Sequence, residues 1–139
     1  VGPSWASARA EMMELLRREV RLLQVVKLVG PDALPDGQRF VIDLCTLFKN
    51  AFLQNAFDDV DRYASAAKQA RMLGVVLAWW RRGSQAIKRG VPLADIKRSK
   101  VAQEIVKMKF TIADGQEDAF DLLEAKIDRA MDRLEADNA

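Results

Sequence analysis

Apolar residues recur at three- and four-residue steps along nearly the whole of this chain, and a few glycine-bearing breaks cut the pattern into long runs. Such spacing places one apolar stripe on one face of an α-helix; a strand needs alternation, and no stretch alternates well enough to be read as one. The expected fold class is therefore all-α, a helical bundle of about five helices joined by short loops. At 139 residues and 50% apolar composition the chain can bury a core without disulfides or a metal, as one domain over residues 1–139.

The first run, from about Ser4 to Val29, sets Met12, Leu16, Val20, Leu23 and Val26 on the inward stripe and stops at Gly30-Pro31. The second, from about Pro35 to Leu53, turns Val41, Leu44, Cys45, Phe48 and Phe52 inward and packs antiparallel to the first. Asn55 to Ala64 breaks the period and reads as an ordered loop, with Ser65 as N-cap of a third helix. That helix reaches about Arg89, with Met72, Leu73, Val76, Leu77 and Trp80 inward and Gly90 just beyond. Pro92 opens a short helical turn, and a basic helix buries Val101, Ile105 and Met108. Asp114-Gly115 marks a turn before a last helix whose Phe120, Leu123, Ile127, Ala130 and Leu134 make a seam for partner helices as much as for the local core.

Several chemistries are excluded by composition. With no His and one Cys, neither a Ser-His-Asp triad nor a His-based or multi-cysteine metal site can exist here. No GxxxxGK[ST] phosphate loop is present. Cys45, among Leu44, Leu47 and Phe48, is expected to pack as a small hydrophobe, in keeping with a reducing cytoplasm. Asp58, Asp59 and Asp61 offer oxygen ligands for a hard cation, yet lack the glycine and terminal glutamate of an EF-hand; the reading adopted is solvated and capping residues ahead of a helix, with no metal site. No run is long enough to span a bilayer, so a membrane role is expected to be peripheral.

Charge is distributed unevenly. Arg62 to Lys109 is basic and Asp114 to Asp137 acidic, so the two parts attract each other, face separate partners, or are simply solvated faces. Trp79-Trp80-Arg81-Arg82, with Lys88 and Arg89 beyond, has the residue types of a nucleic-acid surface; the simpler reading is one core Trp and the edge of a protein interface.

Three segments carry a family resemblance: LLQVVKLVGPDALPDGQR from Leu22, FLQNAFDDVDRYASAAKQARML from Phe52 and RGVPLADI from Arg89. In this order they resemble the C-terminal helical domain of the catalytic A subunit of V-type and A-type rotary ATPases. The first residue is Val, and the resemblance implies a piece of a longer subunit whose nucleotide-binding domain lies outside the chain. It implies ATP or ADP with magnesium as the cofactor of the full assembly, none being required by this chain, which alone is expected to be inactive. It implies B subunits and a central stalk as partners, with no nucleic acid. It implies a cytoplasmic location, peripheral to the membrane in the soluble sector, where the domain acts as a lever during ATP-driven or ATP-forming transport of protons or sodium ions.

Carried onto this sequence, the resemblance makes Phe57 and Tyr63 the aromatic residues flanking adenine, with Gln54 and Asn55 as amides lining the same turn. Read without the family, Phe57 anchors the loop into the core and Tyr63 staples the next helix. The family motif Phe-Leu-Gln-Gln-Asn-Ala-Phe has one amide more than Phe52 to Phe57 here, and Ala70 stands where an aromatic residue is common. The stalk-facing candidate is the turn from Arg89 to Ile96. Two readings from other classes remain: a free-standing helical adaptor binding through its acidic last helix, and a basic nucleic-acid-binding helical domain.

Overall fold

The helices follow from where the chain can stop. In a computed structural model describing residues 3–52, 66–113 and 115–139, six α-helices appear: α1 (Pro3–Val29), α2 (Asp36–Phe52), α3 (Ala66–Lys88), α4 (Leu93–Lys97), α5 (Lys100–Thr111) and α6 (Glu117–Asp137). No strand occurs among the described residues, so the all-α bundle expected from periodicity is the fold.

Glycine and proline set the boundaries. After α1, Gly30 takes φ 88° and its N–H donates to Val26 O at 2.8 Å, and Pro31 opens a single 3-10 turn before α2. After α3, Gly90 takes φ 100°; its N–H donates to Ile87 O at 3.0 Å while Val91 N–H donates to Ala86 O at 3.0 Å. These two bonds engage the Ile87 and Ala86 carbonyls in the last turn of α3, and the Val91 side chain just beyond is buried.

α3 is the central helix. Met72, Leu73, Val75, Val76, Leu77, Trp79 and Ala86 are buried along it, and α6, α2, α1 and α5 all pack on it. α6 lies along α3 through Phe120, Leu123, Ile127 and Met131, so the apolar seam of the last helix is filled by this chain's own core rather than left for a partner. Its stripe closes on Met131, one turn beyond Ile127; Ala130 and Leu134 are only half-buried. The inward positions of α5 include the expected Val101, Ile105 and Met108, with Lys109 buried beside them.

The stripes of α1 and α2 differ from expectation as well. On α1 the inward row is Met12, Leu15 and Glu19, with Leu16, Leu22 and Val26 half-buried; Val20 and Leu23, expected inside, are exposed. Glu19 takes the inward position beside Val20, buried with Lys49 Nζ 2.5 Å from its Oε1. On α2, Phe40 joins Val41, Leu44 and Cys45 in the core, while Phe48 and Phe52 stack on each other at 4.8 Å, half-buried at the helix end.

Candidate functional site

The residues expected to meet a nucleotide, Gln54, Asn55, Phe57 and Tyr63, lie outside the described residues, as do Asp58, Asp59, Asp61 and the N-cap candidate Ser65. The helices on either side of that segment are firmly built in. Phe52 ends α2 in its stack with Phe48. At the start of α3, the buried Lys68 ammonium donates to Lys109 O at 2.7 Å, placing a cation on a carbonyl of the last turn of α5, where the helix dipole is negative. Periodicity gives no signal for Lys68; its site is made by α5, which follows more than thirty residues later in the chain.

The basic stretch of α3 is occupied within the fold. Trp79, not Trp80, is the buried indole, edge-on to Phe40 at 6.2 Å; Trp80 is half-buried, stacked on Phe40 at 5.6 Å, with the Arg18 guanidinium 5.5 Å from its ring centre. This corrects the expectation of Trp80 inward. Adjacent helical residues point about 100° apart, and Phe40 is the ring both indoles use. Gly83 makes room for it: a Cβ there would sit 2.5 Å from the Phe40 ring.

The arginines meet carboxylates. Arg81 pairs with Glu11. Arg82 reaches Asp128 at 3.1 Å, Asp132 at 2.7 Å and Glu135 at 3.3 Å, Arg89 meets Glu135 at 2.8 Å, and Arg71 pairs with Asp121. Of the three readings of the lengthwise charge asymmetry, mutual attraction is realised between α3 and α6, where the basic face of one is the counter-surface of the acidic face of the other. A nucleic-acid surface would need these guanidiniums free for phosphates.

The turn from Arg89 to Ile96 is held from below. Val91, Leu93 and Ile96 are buried, Leu93 N–H donates to Asp36 Oδ2 at 2.9 Å, and Lys97 pairs with Asp43 at 3.2 Å, so the turn is fastened to α2. Arg89, Pro92 and Ala94 stay exposed on its outer side. Cys45 is buried as expected; burial first, and then Glu19, pushes its thiol up to about 12, and Sγ–H donates to Leu15 O at 3.4 Å. Such a thiol stays protonated and is a poor nucleophile. Among the described residues no three His, Cys, Asp or Glu side chains converge on a metal position, and no helix is long and apolar enough to cross a membrane.

Residues 1–97 match the family described as the C-terminal domain of V and A type ATP synthase. The chain belongs to this family. Relatives extend the likeness beyond the matched residues. The V-type ATP synthase alpha chain of Halothermothrix orenii is 39% identical over 135 residues, covering 96% of this chain and 23% of the relative. The A subunit of the A-type ATP synthase of Methanopyrus kandleri is 36% identical over 135 residues, with the same two coverages, and that of Pyrococcus abyssi is 38% identical over 136 residues, covering 97% of this chain and 13% of the relative. The chain thus spans about a quarter or less of the curated relatives it matches. As a V and A type ATP synthase C-terminal domain it is an all-helical unit in which the arginines and tryptophans of α3 pair with neighbouring helices.

Proposed function

We propose that this chain is the C-terminal helical domain of a longer catalytic A subunit of a V- or A-type ATP synthase, and that it works as a mechanical element rather than as a catalyst. The family match over residues 1–97 carries the reading. With no phosphate loop in the sequence, and no converging acidic group among the described residues, magnesium and the phosphates of ATP or ADP are assigned to the part of the protein outside this chain. The isolated chain then hydrolyses nothing. In the assembly its partners are the B subunits and the central stalk, its place is the soluble sector peripheral to the membrane, and its task is to pass domain closure to the stalk during proton or sodium transport.

What fits such an element is a domain with one continuous core, because a lever must move as a body. The core cluster includes residues of all six helices, and the α3–α6 seam is fastened by apolar contact and ion pairs together. The exposed outer side of the Arg89 to Ile96 turn is the proposed stalk-facing surface. Phe57 and Tyr63 are proposed to stack on the adenine ring, with Gln54 and Asn55 beside it; a flat base gains from aromatic faces without touching phosphate chemistry.

The test is ATP hydrolysis by the full-length protein in complex with its B partner, comparing Phe57→Ala and Tyr63→Ala with the parent. Loss of base stacking, worth about 1–3 kcal/mol, raises KM between roughly fivefold and a hundredfold with turnover less affected. Unchanged assembly and kinetics would make both residues packing elements only.

A further inference from the structure

α6 carries charge of both signs, and the two signs meet different fates. Its carboxylates Asp121, Asp128, Asp132 and Glu135 are taken up by the arginines of α3. Its cations Lys126, Arg129 and Arg133, spaced three and four residues apart on one face, instead line an open groove of about 650 Å³ shared with the start of α5. Two groove cations are neutralised locally, Arg98 by Asp95 and Lys126 by Glu104 at 3.3 Å. Lys100, Arg129 and Arg133 are exposed, and among the described residues none has a carboxylate within ion-pair distance.

The start of α5 adds to this field. Its first turn has no acidic residue, and Ser99, at the cap position, donates its hydroxyl to Ile96 O at 2.7 Å instead of accepting from the helix. The positive end of the helix therefore lies at the groove without a side-chain cap, and the groove carboxylates Asp95 and Glu104 are each paired with a cation. The groove floor is apolar, formed by buried Val101 and half-buried Ala130 and Leu134. Among the described residues no aromatic side chain lines it, so a nucleotide base finds no aromatic ring there to stack on.

Cations on the rim and an apolar floor suit a particular occupant. We propose that the α5–α6 groove is a docking surface for an acidic amphipathic helix of a partner protein, with apolar anchors on Val101, Ala130 and Leu134 and carboxylates meeting Lys100, Arg129 and Arg133. The proposal uses only the charge and packing of this chain and stands apart from the rotary reading. Charge complementarity sets register and encounter rate, while the floor supplies the contact that a simple polyanion does not use.

The experiment is fluorescence anisotropy of the 139-residue chain with a labelled synthetic helical peptide of about 20 residues, leucine-anchored and glutamate-flanked. A glutamine-for-glutamate version of the peptide, single-stranded DNA and inorganic phosphate are run beside it. Three exposed ion pairs at about 0.2–1 kcal/mol each predict that the triple variant Lys100→Gln, Arg129→Gln, Arg133→Gln loses up to roughly a hundredfold in affinity, in steps of a fewfold for each single change. The charge-matched control Arg9→Gln, Lys27→Gln, Lys88→Gln is expected to stay within about twofold, and the glutamine peptide to bind as weakly as the groove variant binds glutamate. Equal losses in both triple variants, DNA binding that outcompetes the peptide at the groove, phosphate displacing the peptide at equal charge, or no glutamate-dependent binding would each overturn the proposal.

Discussion

The α3–α6 seam and the α1–α2 contact are built with opposite polarity. In the seam, Leu123, Ile127 and Met131 are buried and the charges stand at the rim, where Arg82 gathers three carboxylates with 19% of its side chain exposed. In α1 a carboxylate goes inside, Glu19 against Lys49, while Val20, Leu28 and Val29 face outward at 57%, 85% and 62% exposure. The seam obeys the ordinary rule that apolar area drives packing and ion pairs decorate it. α1 shows that an apolar residue at helical spacing marks a face, and that only the neighbouring element decides whether that face is the inner one.

The contrast predicts a large gap between two conservative truncations. Ile127→Ala removes a fully buried side chain from the seam and should cost about 2–5 kcal/mol, whereas Leu28→Ala should stay within about 0.5 kcal/mol. Denaturant unfolding of both variants checks this; equal costs would mean that the outward face of α1 is packed in solution. The buried pair comes next. Lys49→Met alone strands the Glu19 carboxylate and should cost about 2–3 kcal/mol, discounted from a fully buried pair because the Lys49 side chain is 41% exposed. Adding Glu19→Leu should recover most of that loss, and a double variant no better than the single would show that the pair holds α1 in place by more than charge.

A smaller effect is expected where α2 meets α3. Gly83→Ala gains up to about 1 kcal/mol of helix propensity but drives a methyl into the Phe40 ring, at a typical overpacking cost of about 1–3 kcal/mol. Phe40 is held between Trp79 and Trp80, so the clash should win and thermal melting should shift downward. The smallest effect is a pH dependence at the edge of the seam. Burial holds the Glu124 carboxyl above its ordinary range; Arg71 opposes the shift, and Asp121 and Asp128 add to it. A raised folded-state pKa favours the protonated form, so this group's contribution is present below the unfolded pKa and lost as pH rises through the folded one. Glu124→Gln should remove that slope just above the ordinary carboxylate range and leave the protein slightly more stable at neutral pH. A melting profile that becomes steeper there would reverse the assignment.

Much of the bundle is legible from spacing alone, and the misses have physical causes. On α5 the apolar inward positions Val101, Ile105 and Met108 read correctly, while the buried Lys109 carries no apolar signal and is missed. Reading only apolar residues fails on α1, because it steps over Glu19 and lands on Val20 and Leu23. The choice between Trp79 and Trp80 cannot be made within α3, since Phe40 of another helix and the space left by Gly83 decide it. The attraction between the basic middle and acidic end of the chain is visible in the sequence, but which arginine gathers which carboxylates depends on the packing of α6 along α3. The residues proposed to face a nucleotide, Gln54, Asn55, Phe57 and Tyr63, are legible only through family resemblance, because their proposed role is to touch a ligand bound mainly elsewhere.

On the function proposed, this bundle serves a catalytic centre that it does not contain. The most direct measurement is ATP hydrolysis by the isolated 139-residue chain beside that of the full-length protein in complex with its B partner. No turnover by the chain and clear turnover by the complex is the predicted result; hydrolysis by the chain itself, or none by the complex, would contradict it.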